Sequence, residues 1–187
     1  PLIGAVLRQA GIAPVAVDRI AVTLGPGSFT GVRIALAAAR GLALAINKPV
    51  FGLSSLEAMA AALPPAAMPT LIAVDARRGE IYAQGFGPDG KALGEPLALP
   101  LETIADHVPA GPLRLAGSGA DLVAARLARP DVVVVPGLVA PDAAVLAARV
   151  AGMNAVFGTP TPEPLYLRAP DATPPSRLPG QPRQPAL

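Results

Sequence analysis

Apolar positions along this chain alternate between helical and strand spacing, and each change marks an element. In PLIGAVLRQAG, Ile3, Val6, Leu7 and Ala10 fall three and four residues apart and stop at Gly11, so the chain opens inside a helix. The apolar run 20–24 is too short for a helix and ends at Gly25, which predicts a buried strand. The turn GPG follows. Ser28 has the hydroxyl to cap a helix, and Asn47, Lys48 and Pro49 stop it, giving a helix over 28–46. PVFGL reads as a second short strand, and SSLE at 54–57 has the spacing of a capping box heading a helix that ends at Pro64 and Pro65. Strand, helix, strand, helix is the order of an α/β unit with a largely parallel sheet.

The proline-rich joint PPAAMP then introduces a different order. TLIAVD and EIYAQGF flank the tight ARRG and read as a β-hairpin, so a domain boundary is expected here, with a first domain over 1–64 and a second over 65–139. A third strand is expected within 92–99, LETIADHV as a short helix, and LRLAG as a strand leading through GSG into a helix over 120–128 and the strand DVVVV. PDAAVLAARVAG, 141–152, is the last helix, with Pro141 where its missing N–H costs little. The C-terminal helical stretch is placed at 140–158, followed by an extended proline-dense tail over 159–187 in which PLYLR is expected to be ordered and the final residues loose.

Composition narrows the chemistry. Of 187 residues, 52% are hydrophobic, enough to bury the core of one ordinary domain or two small ones. Arg33 and Arg40 interrupt the best candidate for an apolar run of about 18 residues, so no transmembrane helix is expected. There is no cysteine, and His107 is the only histidine. That excludes a disulfide framework, an imidazole-built metal site and a Cys/His nucleophile pair. A net charge of +2 is too small to mark a nucleic-acid surface by itself. The first residue is Pro1 inside a helix, which reads as a missing N-terminus; no signal-peptide pattern remains, and the cytoplasm is the expected compartment.

The most informative stretch is LGPGSFTGVRIALAAARG, 24–41. A strand feeding a glycine turn and a helix N-terminus is a general anion-binding geometry, to which Gly25, Gly27, Ser28 and Thr30 can contribute donors. Two specific signatures fail. A Walker loop ends in Gly-Lys-Ser/Thr, whereas the two lysines, Lys48 and Lys91, lie elsewhere; the dinucleotide fingerprint has its last glycine one residue earlier than Gly31. The helix itself carries two apolar stripes: Gly31, Ala35, Ala38, Leu42 and Ala45, and beside it Val32, Leu36, Ala39, Ala43 and Ile46. One stripe can face the chain's own sheet and the other a partner, with Arg33 and Arg40 bordering the contact and pairing with carboxylates; the plainer reading keeps both stripes internal.

Single residues offer less. Asp75, next to Arg77 and Arg78, has no acid partner or nucleophile nearby in sequence and reads as bracing its own turn. His107 sits at a helix end, where it meets the dipole. Tyr82 and Tyr166 read as too isolated to make a base-stacking platform, which needs clustered aromatics within a basic groove.

At GPGSFTGVR the chain resembles the signature of the TsaB (YeaZ) family of bacterial tRNA threonylcarbamoyladenosine synthesis. PLIGAVLRQAGI is similar to the end of that family's first helix, the block from DRIAVTLGPG to LSSLEAMA to its centre, VDARRGEIYAQGF to the hairpin opening its second domain, and PLYLR to its C-terminal segment. The resemblance implies an α/β fold of the actin/Hsp70/sugar-kinase (ASKHA) type with two related domains, here without the family's N-terminal strands. It implies a non-catalytic subunit that holds no metal, dimerises with itself or with the catalytic homologue TsaD through helices of its first domain, and works with the ATPase TsaE. By position, Leu2, Val6, Gln9, Arg33, Ala35, Leu36, Ala39 and Arg40 would form that interface. No cofactor is implied for this chain alone, with ATP or ADP left to the interface of the complex and tRNA contacted only indirectly. Gly117 and Gly119 of GSG could lie where relatives of the fold bind adenosine. The rival reading is an ATP-dependent small-molecule kinase of the same fold, with the glycine turns on phosphates.

Overall fold

The computed structural model describes residues 2–154 and 161–168. Helix α1 (Leu2–Ala10) precedes a parallel pair of strands, β1 (Ile20–Thr23) and β2 (Val50–Leu53), joined by the long crossover helix α2 (Phe29–Ile46). Local chemistry sets both ends of α2. The Ser28 hydroxyl accepts from the Gly31 N–H at 3.3 Å, and Asn47 closes the helix in the left-handed conformation, φ 56°, with its N–H on the Ala43 carbonyl. Although α2 is long and apolar enough to cross a membrane by composition, Leu36, Ala39 and Ala43 are buried, and Leu36 and Ala39 pack with Val22 of β1. It lies with one side against β1 of the first lobe.

After β2, Ser54 and Glu57 form the expected capping box at the head of α3 (Ser55–Ala61): the Ser54 hydroxyl accepts from Leu56 N–H at 3.1 Å, and Glu57 Oε2 accepts from Ser54 N–H at 3.1 Å. The second sheet contains β3 (Thr70–Arg77), β4 (Glu80–Phe86), β5 (Leu97–Pro100), β6 (Leu113–Ala116) and β7 (Val132–Val134), in the order β5-β4-β3-β6-β7. Strand β4 runs antiparallel to β3 and β5, while β3, β6 and β7 are parallel. Alternation on β3 divides two cores. Leu71 and Ala73 join Ile81, Ile104, Leu115 and the helix α4 (Ala120–Leu127) on one face; Ile72 joins Phe86, Ala116 and the α3 residues Leu56 and Met59 on the other. The chain then returns to the first lobe. Helix α5 (Ala143–Ala151) buries Val150 against Phe51 and Leu53, and Arg19 closes its end by donating to the Val150 and Met153 carbonyls, each at 2.8 Å.

Three expectations are adjusted. LETIADHV forms a 3₁₀ helix over Leu101–His107 rather than an α-helix. The third strand of the second sheet begins only at Leu97, with a single bridge from Phe86 to Ala92 before it. Asp142, not a proline at the first helical position, heads α5, its carboxylate accepting from Ala144 N–H at 2.7 Å. PLYLR lies within 161–168; the expectation of a loose end falls outside the described residues.

Candidate docking surface and the cleft beside it

Apart from the flank carrying Arg33 and Arg40, helix α2 is apolar all round, so burial decides which side is available. Leu36 and Ala39 are only 2% and 6% exposed, inside the chain's own cluster with Val22. This corrects their assignment to the interface: their side chains fill the space over β1 and offer no surface. Ala35 is half-buried at the edge of the same cluster. The outward face instead carries Ile34 and Leu44, 64% and 74% exposed, with the small residues Ala37, Ala38, Gly41 and Ala45 between them. Ile34, Ala37, Gly41 and Leu44 step by three and four residues and form a third row beside the two stripes. In α1 no residue is buried, and Leu2, Ile3, Val6 and Gln9 are all exposed. Each large apolar side chain left in water forgoes about 1.5–3 kcal/mol of burial.

Arg33 and Arg40 are engaged within the chain. Arg33 Nε donates to the Tyr166 hydroxyl at 2.7 Å, and its guanidinium lies 3.6 Å from the Phe29 ring centroid. Arg40 Nη2 donates to the Pro162 carbonyl at 2.6 Å. Both, expected as rim charges for a partner's carboxylates, also contact residues 161–168, a segment that runs along the same flank of the helix. From there it continues to the second lobe, where the Arg168 guanidinium donates to the Glu80 carboxylate and to the Ala76 carbonyl.

Between the lobes lies a cleft of about 610 Å³, lined by the turn at Pro26, Gly27 and Ser28, by Phe29 and Arg33 of α2, by the hairpin residues 74–77 and Tyr82, and by 165–168. Tyr82 and Tyr166, distant in sequence, thus share one cavity with Phe29, whose ring centroid is 5.5 Å from that of Tyr166. Arg33, Arg77 and Arg168 lie on the same walls.

Packing accounts for the glycines. Gly25 is buried at φ +102°, and a Cβ there would come within 3.0 Å of the Leu165 carbonyl oxygen. Gly117, at φ +115°, sits where a Cβ would overlap the Ala73 carbonyl, and at Gly119 one would lie 3.0 Å from the Asp75 nitrogen. The Ser28 hydroxyl is taken by its helix cap. Of the residues suggested for phosphate or nucleotide contact, Gly27 and Ser28 line the cleft, whereas Gly25, Thr30, Gly117 and Gly119 are absent from its lining.

Asp75 does brace its turn: its carboxylate accepts from Arg77 N–H at 2.7 Å and lies 3.4 Å from the Arg77 guanidinium. His107 Nδ1 lies 3.0 Å from the Thr103 carbonyl, which makes that nitrogen the donor. Among the described residues no three His, Cys, Asp or Glu side chains converge on a point.

These features define a two-lobed α/β protein with an inter-lobe cleft and an unpartnered helical face on its first lobe. A family model described as "TsaD: tRNA N6-adenosine threonylcarbamoyltransferase" matches residues 1–115, and the chain belongs to this family, as a TsaB (YeaZ)-like member with the ASKHA-type fold. An uncharacterized Mycobacterium tuberculosis protein is 35% identical over 174 residues, covering 93% of this chain and 75% of that one. The Escherichia coli tRNA threonylcarbamoyladenosine biosynthesis protein TsaB is 42% identical over 84 residues, 44% of this chain and 36% of that protein. Among solved structures, an uncharacterized Pseudomonas aeruginosa protein described as similar to peptidase YeaZ superposes with a TM-score of 0.73 at 33% identity, covering 90% of this chain and 82% of that one.

Proposed function

We propose that this chain is a docking subunit in bacterial tRNA threonylcarbamoyladenosine synthesis, seating a TsaD-type catalytic partner and leaving the group transfer to adenosine 37 to that partner. The observation that carries the reading is the outward face of α2, where Ile34 and Leu44 stand in solvent around Ala38 and Gly41. Small residues between two large ones let another helix approach closely and bury both. The exposed α1, with Leu2, Val6 and Gln9, adds to the available surface. The same face serves a homodimer when the partner is absent. TsaE joins the assembled complex, ATP or ADP belongs to the interface of that complex, tRNA is reached through the partner, and the work is done in the cytoplasm. A role without chemistry of its own is supported by Asp75, whose carboxylate is tied to its own turn.

The test is co-purification of the full chain with the TsaD homologue of the same organism. Ala38→Arg and Ile34→Glu should leave folding unchanged and abolish association, with loss of the modified nucleoside in cells that depend on this chain. Retention of the partner by both variants overturns the docking reading. ATP turnover coupled to phosphorylation of a small molecule by the purified chain alone would favour the kinase reading instead.

A further inference from the structure

We propose that residues 161–168 are a clasp that ties helix α2 to the β3–β4 hairpin, so that the width of the inter-lobe cleft and the pose of the outward α2 face are set together. The segment has no helix or strand of its own, yet it is held at both ends. On α2 the Pro162 carbonyl accepts from Arg40 at 2.6 Å, and the Tyr166 hydroxyl accepts from Arg33 at 2.7 Å. In the middle, Leu165 N–H donates to the Leu24 carbonyl at 2.8 Å. On the hairpin, Arg168 engages the Glu80 carboxylate and the Ala76 carbonyl, 6.0 Å from the Tyr82 ring.

The groove that receives it is cut into the first lobe by two glycines. A Cβ at Gly52 would lie 2.6 Å from Pro162 Cβ, and one at Gly25 would lie 3.0 Å from the Leu165 oxygen. Helix α2 packs on β1 and β2, and this segment joins its flank to the hairpin by hydrogen bonds at both ends. A segment held largely by side chains, with few backbone bonds, opens locally at lower cost than the sheets it joins. Anything that favours the closed clasp at one end therefore favours it at the other, and only a ligand that binds α2 more tightly with the clasp closed would be linked to the cleft by the same free energy.

The clasp stands independently of the docking reading, because its test is internal to the chain. Amide hydrogen exchange is followed by mass spectrometry on the full chain and on Glu80→Gln and Tyr166→Phe, each verified as folded by its thermal transition. Glu80→Gln alters only the hairpin end, and is expected to speed exchange about tenfold not only across 161–168 but in peptides covering the first turns of α2, the scale of one charge-assisted hydrogen bond. Tyr166→Phe alters only the α2 end and is expected to speed exchange in reverse, at 76–80. If each variant changes exchange only at its own end, the two ends are not coupled and the proposal falls; if one variant does not fold, the other decides.

Discussion

Arg33 and Tyr166 lie 133 positions apart in sequence and 2.7 Å apart in space, Nε to hydroxyl, with Phe29 beneath the guanidinium. One arginine therefore uses its donor edge and its flat face at once, which an ammonium cannot do. Arg33→Lys is expected to lower stability by about 1 kcal/mol, the sum of an exposed cation–π contact and a neutral-acceptor hydrogen bond less what lysine regains. A urea midpoint shift without a change in slope would register it; an unchanged midpoint would show that the cluster contributes nothing in solution.

Two neighbours on α2 should behave as opposites. Leu36→Ala removes a buried side chain over β1 and is expected to cost about 2–5 kcal/mol. Ile34→Ala, on the open face, should change the stability of the free chain by no more than about 0.5 kcal/mol while weakening association. Thermal denaturation and sedimentation on the same two proteins separate the effects, and equal thermal losses would invert the assignment of the helix faces.

Gly52 and Gly41 make a second contrast. A methyl at Gly52 meets Pro162 Cβ at 2.6 Å and overlaps Leu24, so Gly52→Ala is expected to cost about 1–3 kcal/mol through overpacking. At Gly41, inside α2, a Cβ meets nothing within 4 Å, so Gly41→Ala should raise helix stability by about 0.5–1 kcal/mol. Chemical denaturation of both variants checks the signs.

Asp131 supplies a pH prediction. The side-chain hydrogen bond from Arg129 holds its carboxyl below the ordinary 3.8, assisted by the charge of the same guanidinium and opposed by partial burial. Because the folded value is depressed, the stabilising contribution is present above the unfolded value and is lost as pH falls through the folded one. Carboxyl-carbon NMR should find the Asp131 midpoint under 3.8, and Arg129→Ala should raise it; a midpoint unaffected by that substitution would remove Arg129 as the cause.

The elements were legible because their causes are local. Ser28 at the head of α2, Asn47 at its end, the Ser54–Glu57 capping box and the ARRG hairpin turn each act over no more than about four residues. The exceptions are also local: the residues 101–107 settle into a tighter helix than their pattern suggested, and Asp142 takes the cap next to Pro141. The candidate site was legible only as a helix. Its spacing identifies apolar stripes but not which one lies over β1; the family resemblance, not the spacing, puts Leu36 and Ala39 at the interface, and neither marks Ile34 and Leu44.

The sequence by itself determined the alternation of strands and helices, their capped ends, the hairpin and the family signature, since each depends on backbone preference and periodicity over a few neighbours. Tertiary structure alone decided which flank of α2 is shielded, that Gly25 answers to the Leu165 oxygen and Gly117 and Gly119 to the β3 backbone, and that Phe29, Tyr82 and Tyr166 share one cavity. Those outcomes depend on contacts between segments distant in sequence, Leu165 and Tyr166 lying more than a hundred residues beyond Gly25 and Phe29, and no short-range rule carries that distance.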